Sequence, residues 1–424
     1  SYGAGLLAHG VSADTVESQA AIMIKNMNVE ANDNGLYGLY ARDGGMISII
    51  GDGSHTLDLN GNKSTADDTY DAGIAIEGLI AGATSEKPAA IAIKNMEITI
   101  KDNGGYGIDV ASGGEMSVLS DSGNTLTLSG NQKGDTGNNA GVGINVNGVF
   151  DGVRSQLAIV DMDVLVDGSP DAGVKVADGG LINIVSNRGN NLLKANGNDN
   201  HGTQYNEGAG LFAVDSQSTA NEVATLNVVG MNIEAKNNGS YGVIAEGGDI
   251  NIQGNGSHTL DVDGNGRYGL LAKDGGSMLI SGMQVSGNSS EHSLVGIERN
   301  GLIYLTNSTI ATDNNALFYT WSDSDTQKSQ YILDNAVAIG NGQMLANFTA
   351  ANNTLDATHS RLVNAIVTDH TSAASSTMTL ERSVWEMKAD SNITDLIASN
   401  SYLDLRGATN FNTLTVDNNY KSEN

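Results

Sequence analysis

There is no cysteine in this chain, which removes disulfide staples and thiolate metal sites together. The same absence suits a polypeptide exported unfolded through an oxidising compartment. Aromatic residues make up 5% of the 424 residues and proline occurs only 2 times, so one thick, ring-filled globular core is excluded. Positive charge is also scarce: 21 Lys and Arg stand against 49 Asp and Glu, a net charge of −28 spread along the chain. Such a field repels nucleic acid and anionic membrane, so neither is expected as a partner. No apolar run is long enough to span a bilayer, and no charged, apolar leader is read at Ser1, so neither a membrane span nor a signal peptide is expected in this stretch.

What the chain has is glycine, 54 of them, and a repeat. Tyr37 to Asn62 reads as three short runs of alternating apolar and polar residues, carrying Leu39/Ala41, Ile47/Ile49 and Leu57/Leu59, with Gly, Asp or Asn corners between them. The pattern returns as Tyr106 to Asn131, Ala172 to Asn198 and Tyr241 to Asn265. A second kind alternates with it, opening on Ala-Gly at Ala4, Ala72, Ala140 and Ala209, so the compound period is 68, 68 and 69 residues, with Met27, Met96, Met162 and Met231 in register. A three-strand turn cannot bury its inner face alone, and stacking turn on turn buries it. The expected fold is all-β: a single right-handed parallel β-helix of three strands per coil and about 14 coils, rising about 4.8 Å each, with loops flanking one face. Repeats with loop insertions are expected over residues 1–376 and loop-poor terminal rungs over 377–424.

The extra residues fall beside the first strand of each coil, at Val11 to Ser18, Lys63 to Tyr70, Leu79 to Pro88, Gln132 to Asn138, Phe150 to Ser155, Asp199 to Glu207, Ser216 to Asn221, Ser322 to Ser329 and Thr371 to Ser376. They wall a groove along the first-strand face. Its outward positions mix apolar and aromatic side chains with charge, as a binding surface does. The candidate ligand-binding set is Tyr40, Arg42, Asp109, Asn145, Lys175, Asp178, Phe212, Asp215, Ile244, Glu246, Leu271, Lys273, Asp274, Phe318 and Trp321. Each has a plainer alternative: the apolar members as core under the loops, the corner aspartates Asp43, Asp178, Asp215 and Asp274 as turn formers.

Chemistry is sparse. There is no G-x-S-x-G elbow, no H-E-x-x-H and no P-loop. His55 and His258 share one repeat position, which marks a corner and not a catalytic pair. Carboxylates are frequent everywhere, so a pair such as Glu246 and Asp274 carries no specificity for glycoside cleavage. No catalytic residue, metal or cofactor is expected.

The last stretch changes style. Leu380 to Asn418 carries Ser383, Trp385, Asp390, Ser391, Leu396, Asn400, Ser401, Leu403, Phe411, Leu414 and Val416 in a pattern that resembles the terminal rungs of passenger domains in classical bacterial autotransporters of the pertactin and AIDA type. The resemblance covers roughly the last 40 residues. It implies a cell-surface β-helix, outer-membrane anchored or secreted, whose membrane barrel lies beyond Asn424. It also implies an adhesin binding a host extracellular-matrix polymer, a glycan of glycosaminoglycan type or a glycoprotein such as fibronectin. The alternatives are self-association between cells and a polysaccharide-cleaving β-helix enzyme.

Overall fold

The computed structural model describes residues 3–10, 20–64, 71–78, 88–131, 141–198, 208–216, 222–289, 291–313, 316–321, 328–342, 344–369, 374–407 and 412–423. Among them every regular element is a strand and none is a helix. The chain divides into two compact units, Ser1–Glu234 and Ala235–Asn424.

Three parallel ladders organise the first unit. The first runs Ala4–His9, Tyr37–Arg42, Ala72–Glu77, Tyr106–Ala111, Val142–Asn147, Ala172–Ala177 and Ala209–Val214, each strand in register with the next. The second and third ladders share chain segments, since Met46–Asn60 and Ala90–Lys101 each supply a strand to both across an irregular corner. Apolar residues alternate inward on all three: Ile47, Ile49, Leu57 and Leu59 are buried, as are Ile91, Ile93, Ile98 and Ile100 in the following repeat. Parallel register places like residues over like, so aliphatic side chains stack into a continuous seam.

The second unit repeats the scheme. Its first ladder runs Tyr241–Glu246, Tyr268–Lys273, Val295–Glu298, Ala316–Trp321, Met344–Phe348 and Ile366–Thr368. Trp385 and Leu396, two of the large apolar groups in the terminal stretch, are buried, and the Trp385 indole N–H donates to the Asn364 carbonyl at 2.9 Å.

The glycine after each strand opening now has a cause. A Cβ on Gly73 would come within 2.9 Å of the Gly107 carbonyl and 3.1 Å of Asn103 Nδ2, and Gly107 meets Gly143 and Asn131 in the same way. The side chains that fill this space form an amide ladder. Asn34 and Asn62 each donate through backbone N–H and side-chain Nδ2 to Oδ1 of the next asparagine, Asn62 and Asn103, at 2.8–3.0 Å. Asn103 continues to Asn131 at 3.2 Å. In the second unit Asn238 and Asn265 repeat the pair at 3.0 Å. A buried amide is stable only when its donors and acceptors are matched, and this register matches them.

One strand opening moves, and two later strands take places that no Tyr-Gly or Ala-Gly dipeptide marks. The opening at residue 140 lies two residues later, because Val142 stands opposite Tyr106 and Ala172. Val295 stands opposite Leu270 and not opposite Tyr268. Arg361–Val363, around Leu362, pairs with Val337–Gly340 in the third ladder, and the first-ladder strand of that repeat is Ile366–Thr368. Of the loops expected beside the first-strand face, only Phe150 to Ser155 lies wholly within the described residues, and it belongs to a short antiparallel hairpin of Val149–Phe150 with Val153–Arg154. The others lie wholly or largely outside them.

Candidate functional site

In the first unit the outward row of the first ladder reads Leu7, Tyr40, Ala75, Asp109, Asn145, Lys175, Phe212. Of its large apolar members only Leu7 is exposed; Tyr40 and Phe212, expected on an open floor, are buried. Like positions on parallel neighbours stand about 4.8 Å apart, so a ring at one layer lies over a small residue at the next. Tyr40 packs with Tyr37, Ala72 and Ala75, and Tyr106 and Leu36 close over that cluster.

Its polar groups are settled pair by pair. The Tyr40 hydroxyl donates to Glu77 Oε2 at 2.6 Å, and burial, reinforced by that carboxylate, drives the phenol pKa far above its ordinary value. Arg42 Nε donates to Asp43 Oδ2 at 3.0 Å, where His9 Nε2 also meets it. Asn145 Nδ2 donates to Asp109 Oδ1 at 2.7 Å. Burial pushes the Asp109 carboxyl up to about 6, against the opposing Asn145 bond and with a further push from Glu77. Lys175 reaches back to Asp171 at 2.7 Å and lies over the Phe212 ring at 5.3 Å. Asp178 accepts from the Ser216 N–H and hydroxyl, and Asp215 accepts from the Ala224 N–H at 3.3 Å. Asp43, Asp178 and Asp274 all adopt positive φ, 45–52°, the left-handed corner conformation that Asp tolerates.

The second unit is built differently. Its outward row reads Ile244, Leu271, Gly296, Tyr319, Asn347, Val367. Ile244 and Leu271 are buried. Phe318, expected on this row, stands opposite Val295 one residue out of phase, is buried, and packs on Tyr331 with centroids 4.7 Å apart. The second outward row reads Glu246, Lys273, Glu298, Trp321. Lys273 is only 4% exposed and its Nζ lies 3.2 Å from Glu246 Oε2; Glu298 is buried on its other side. Asp274 pairs with Arg299 at 2.6 Å. Trp321 ends the row and is 40% exposed.

Beside these rows stands a column of rings that the sequence reading missed. Tyr241 and Tyr268 stack at 6.4 Å, Tyr268 and His292 at 5.0 Å, and His292 and Tyr319 at 5.8 Å with planes 5° apart. Glycine at 296 makes room for it, since a Cβ there would come within 2.5 Å of the Tyr268 ring. Arg267 caps the buried end, donating to the Tyr241 hydroxyl at 2.9 Å. Burial pushes the Tyr241 phenol up to about 12. Burial and the nearby Arg267 cation lower the His292 pKa, with Glu291 and Glu298 pulling the other way. Tyr241 and Tyr268 were visible as repeat openings. Tyr319 was hidden by a one-residue slip at Ala316–Trp321, and His292 lies outside the repeat pattern.

Among the described residues no group of His, Asp or Glu is arranged to hold a metal ion. In the first unit a polar cleft of about 490 Å³ lies between the corners at Asn32, Asp33, Asn60, Gly61, Lys63 and Asp102. None of the candidate residues lines it. No known protein family, curated protein or solved structure matches the chain.

Proposed function

We propose that the chain is the passenger part of a bacterial surface adhesin, and that the first-strand face of its second unit grips an extended host matrix polymer, a glycan or glycoprotein. In this reading each unit is a right-handed parallel β-helix of three strands per coil; the three in-register ladders support the coil, and the crossover preference of parallel strands supports the hand. The residue pattern from Ser383 to Val416 supports the passenger assignment.

The observation that carries the ligand reading is Trp321. It is a large ring left 40% open at the end of a row whose other members are charged, Lys273 lying against Glu246. Half-buried Tyr319 stands two residues before it on the same strand face, and His292 stacks on Tyr319. An open indole stacks on a sugar ring or a peptide side chain, and Asn347 on the next strand adds an amide. Ligand contacts are distributed, so affinity comes from several weak terms.

The test compares Trp321→Ala with Tyr402→Ala, an equally open ring (56% exposed) on the third-ladder face of the same unit. Binding to immobilised fibronectin and to heparan sulfate is measured for both. Trp321→Ala is expected to weaken binding roughly three- to tenfold and Tyr402→Ala to leave it unchanged. Trp385 is buried, so ligand-induced change in indole emission should vanish in Trp321→Phe. A loss confined to Tyr402→Ala, or no binding by the unaltered chain, would refute the assignment. Because the net charge is −28, binding to the sulfated chain should not strengthen at low ionic strength, where repulsion is unscreened.

A further inference from the structure

The repeat calibrates its own exposure. Met96, Met162, Met231 and Met283 occupy one corner position and are each 1% exposed, whereas Met27 in that position is 60% exposed. The neighbouring positions agree. Ile22 and Ile24 stand opposite Ile47 and Ile49 and point inward, yet they are only half-buried while their partners are sealed. Leu7 is 40% exposed in the row where Tyr40 is buried. Among the described residues Ala4–His9 and Ala21–Lys25 each pair on one side only. Together they form a parallel edge lined by Leu7, Ile22, Ile24 and Met27, with main-chain donors and acceptors pointing along the stacking direction.

We propose that this edge is a docking surface for one further parallel strand layer, and that its occupant is a repeat of the Tyr37–Asn62 kind. Two observations identify the occupant. The kinds alternate: Ala90–Lys101 pairs with Met46–Asn60 on one side and with Glu115–Leu119 and Thr125–Ser129 on the other. The layer at residues 4–34, of the Ala-Gly kind, has Tyr37–Asn62 on one side, so the open side takes the same kind again. The corner then specifies the residue that covers Met27. The Met96 sulfur fills the space over Gly51 of the preceding layer, where a Cβ would come within 2.5 Å of Sδ. Met283 and Gly254 repeat this contact in the second unit. The partner is therefore an extended, alternately aliphatic strand pair carrying a small residue at the corner over Met27, glycine as over Met96 and Met283 or serine as Ser120 and Ser186 stand before the equally buried Met162 and Met231. An uncapped repeat edge exposes apolar surface that a further layer buries, which supplies the driving force.

Methionine oxidation by dilute hydrogen peroxide, read by peptide mass spectrometry, tests this because rate follows exposure. In the chain as it stands, Met23 and Met27 should react roughly tenfold or more faster than Met96, Met162 and Met231. A variant with a copy of residues 35–71 fused ahead of Ala4 should bring Met27 down to the rate of Met96. Met23 points outward opposite Ser48 and should stay fast. Placing valine at the copied Gly51 position should abolish the protection. If the fusion disturbs the fold, Met96 accelerates as well. A synthetic peptide of residues 45–60 added in trans then decides: it slows Met27, and its Gly51→Val version does not. The proposal is overturned if Met27 stays fast while Met96 stays slow in the fused chain, or if the decisive peptide leaves it fast. Protection that appears in the unaltered chain only at high protein concentration also overturns it, because the occupant is then a second copy.

Discussion

The first-strand faces of the two units use one backbone scheme for different ends. In the first unit, polar side chains are hydrogen-bonded in separate pairs, Tyr40 with Glu77, Arg42 with Asp43, Lys175 with Asp171 and Asp109 with Asn145. In the second, one buried ammonium, Lys273, lies between two carboxylate-bearing strands, and a ring column runs beside it to an open tryptophan. Pairwise satisfaction closes a surface residue by residue. A buried cation paired across strands ties its own layer to the neighbouring layer of Glu246.

The sharpest way to break this comparison is to remove the lysine from each unit. Lys273→Ala removes a buried cation from beside Glu246 and from between the strands of Glu246 and Glu298, and such a loss costs about 3–5 kcal/mol. Lys175 is half-buried beside a buried Asp171, and Lys175→Ala should cost less, about 1–3 kcal/mol. Urea unfolding of the two variants, followed by hydrogen exchange in Tyr268–Lys273 and Ala172–Ala177, measures both. Equal losses would mean that the two faces are held in the same way.

A smaller difference separates the units by pH. Asp109 holds its proton to about pH 6, above its ordinary 3.8. The folded form therefore binds that proton more tightly than the unfolded one. Its contribution is present in acid and is lost as pH rises from about 4 through 6, by on the order of 1–2 kcal/mol after allowance for its partial exposure. His292 runs the other way: its lowered pKa means that the folded form resists protonation, so stability is lost as pH falls through and below the ordinary histidine range. Hydrogen exchange in Tyr106–Ala111 should slow on moving from pH 7.5 to 5, after correction for intrinsic rates, while exchange in Tyr268–Lys273 quickens. Asp109→Asn and His292→Phe should flatten the respective trends. Parallel trends in both segments would refute the separation.

Much of this was legible in the sequence. Alternating Ile47/Ile49 and Leu57/Leu59 announced strands, and the compound period announced parallel stacking, because period-two patterning survives any local detail. Register was less secure. Ala140-Gly141 imitates a strand opening, but Val142-Gly143 takes the place, since it is Gly143 that lies against Gly173 and the Ser169 side chain. Near Val295 no Tyr-Gly or Ala-Gly marks the opening and the strand shifts by two residues, which keeps its face; at the next strand, Ala316–Trp321, a one-residue slip exchanged Tyr319 for Phe318. The candidate surface was legible as a row but not as an exposure. Alternation tells which way a side chain points, whereas burial depends on what lies over it, as Tyr268 lies over Gly296. The asparagines were in view throughout, since Asn62, Asn131, Asn198 and Asn265 end the repeats. Their hydrogen bonds could not be inferred until the layers were in register.

That ladder supplies the smallest expected effect. At Ser169 the first unit has serine where its neighbouring layers have asparagine, and both Ser169 Oγ and Asn131 Nδ2 are buried without a hydrogen-bond partner. The backbone keeps the ladder register there, for Ser169 N–H still donates to Asn198 Oδ1 at 3.0 Å. Space is comparable as well: a Cβ on Gly143 would stand 3.2 Å from Ser169 Oγ, against 3.1 Å from the amide nitrogen at Gly73. Ser169→Asn therefore places an amide where its oxygen can accept from Asn131 and its nitrogen can donate to Asn198. Asn131 Nδ2 gains a partner and the unpaired serine hydroxyl is removed, worth about 0.5–1.5 kcal/mol, with no counterpart needed in the second unit, where Asn238 and Asn265 are already joined. The thermal midpoint of the first unit should rise while exchange in Tyr268–Lys273 stays as it was. A lowered midpoint would mean that the layers at Asn131 and Asn198 stand too close for an amide between them.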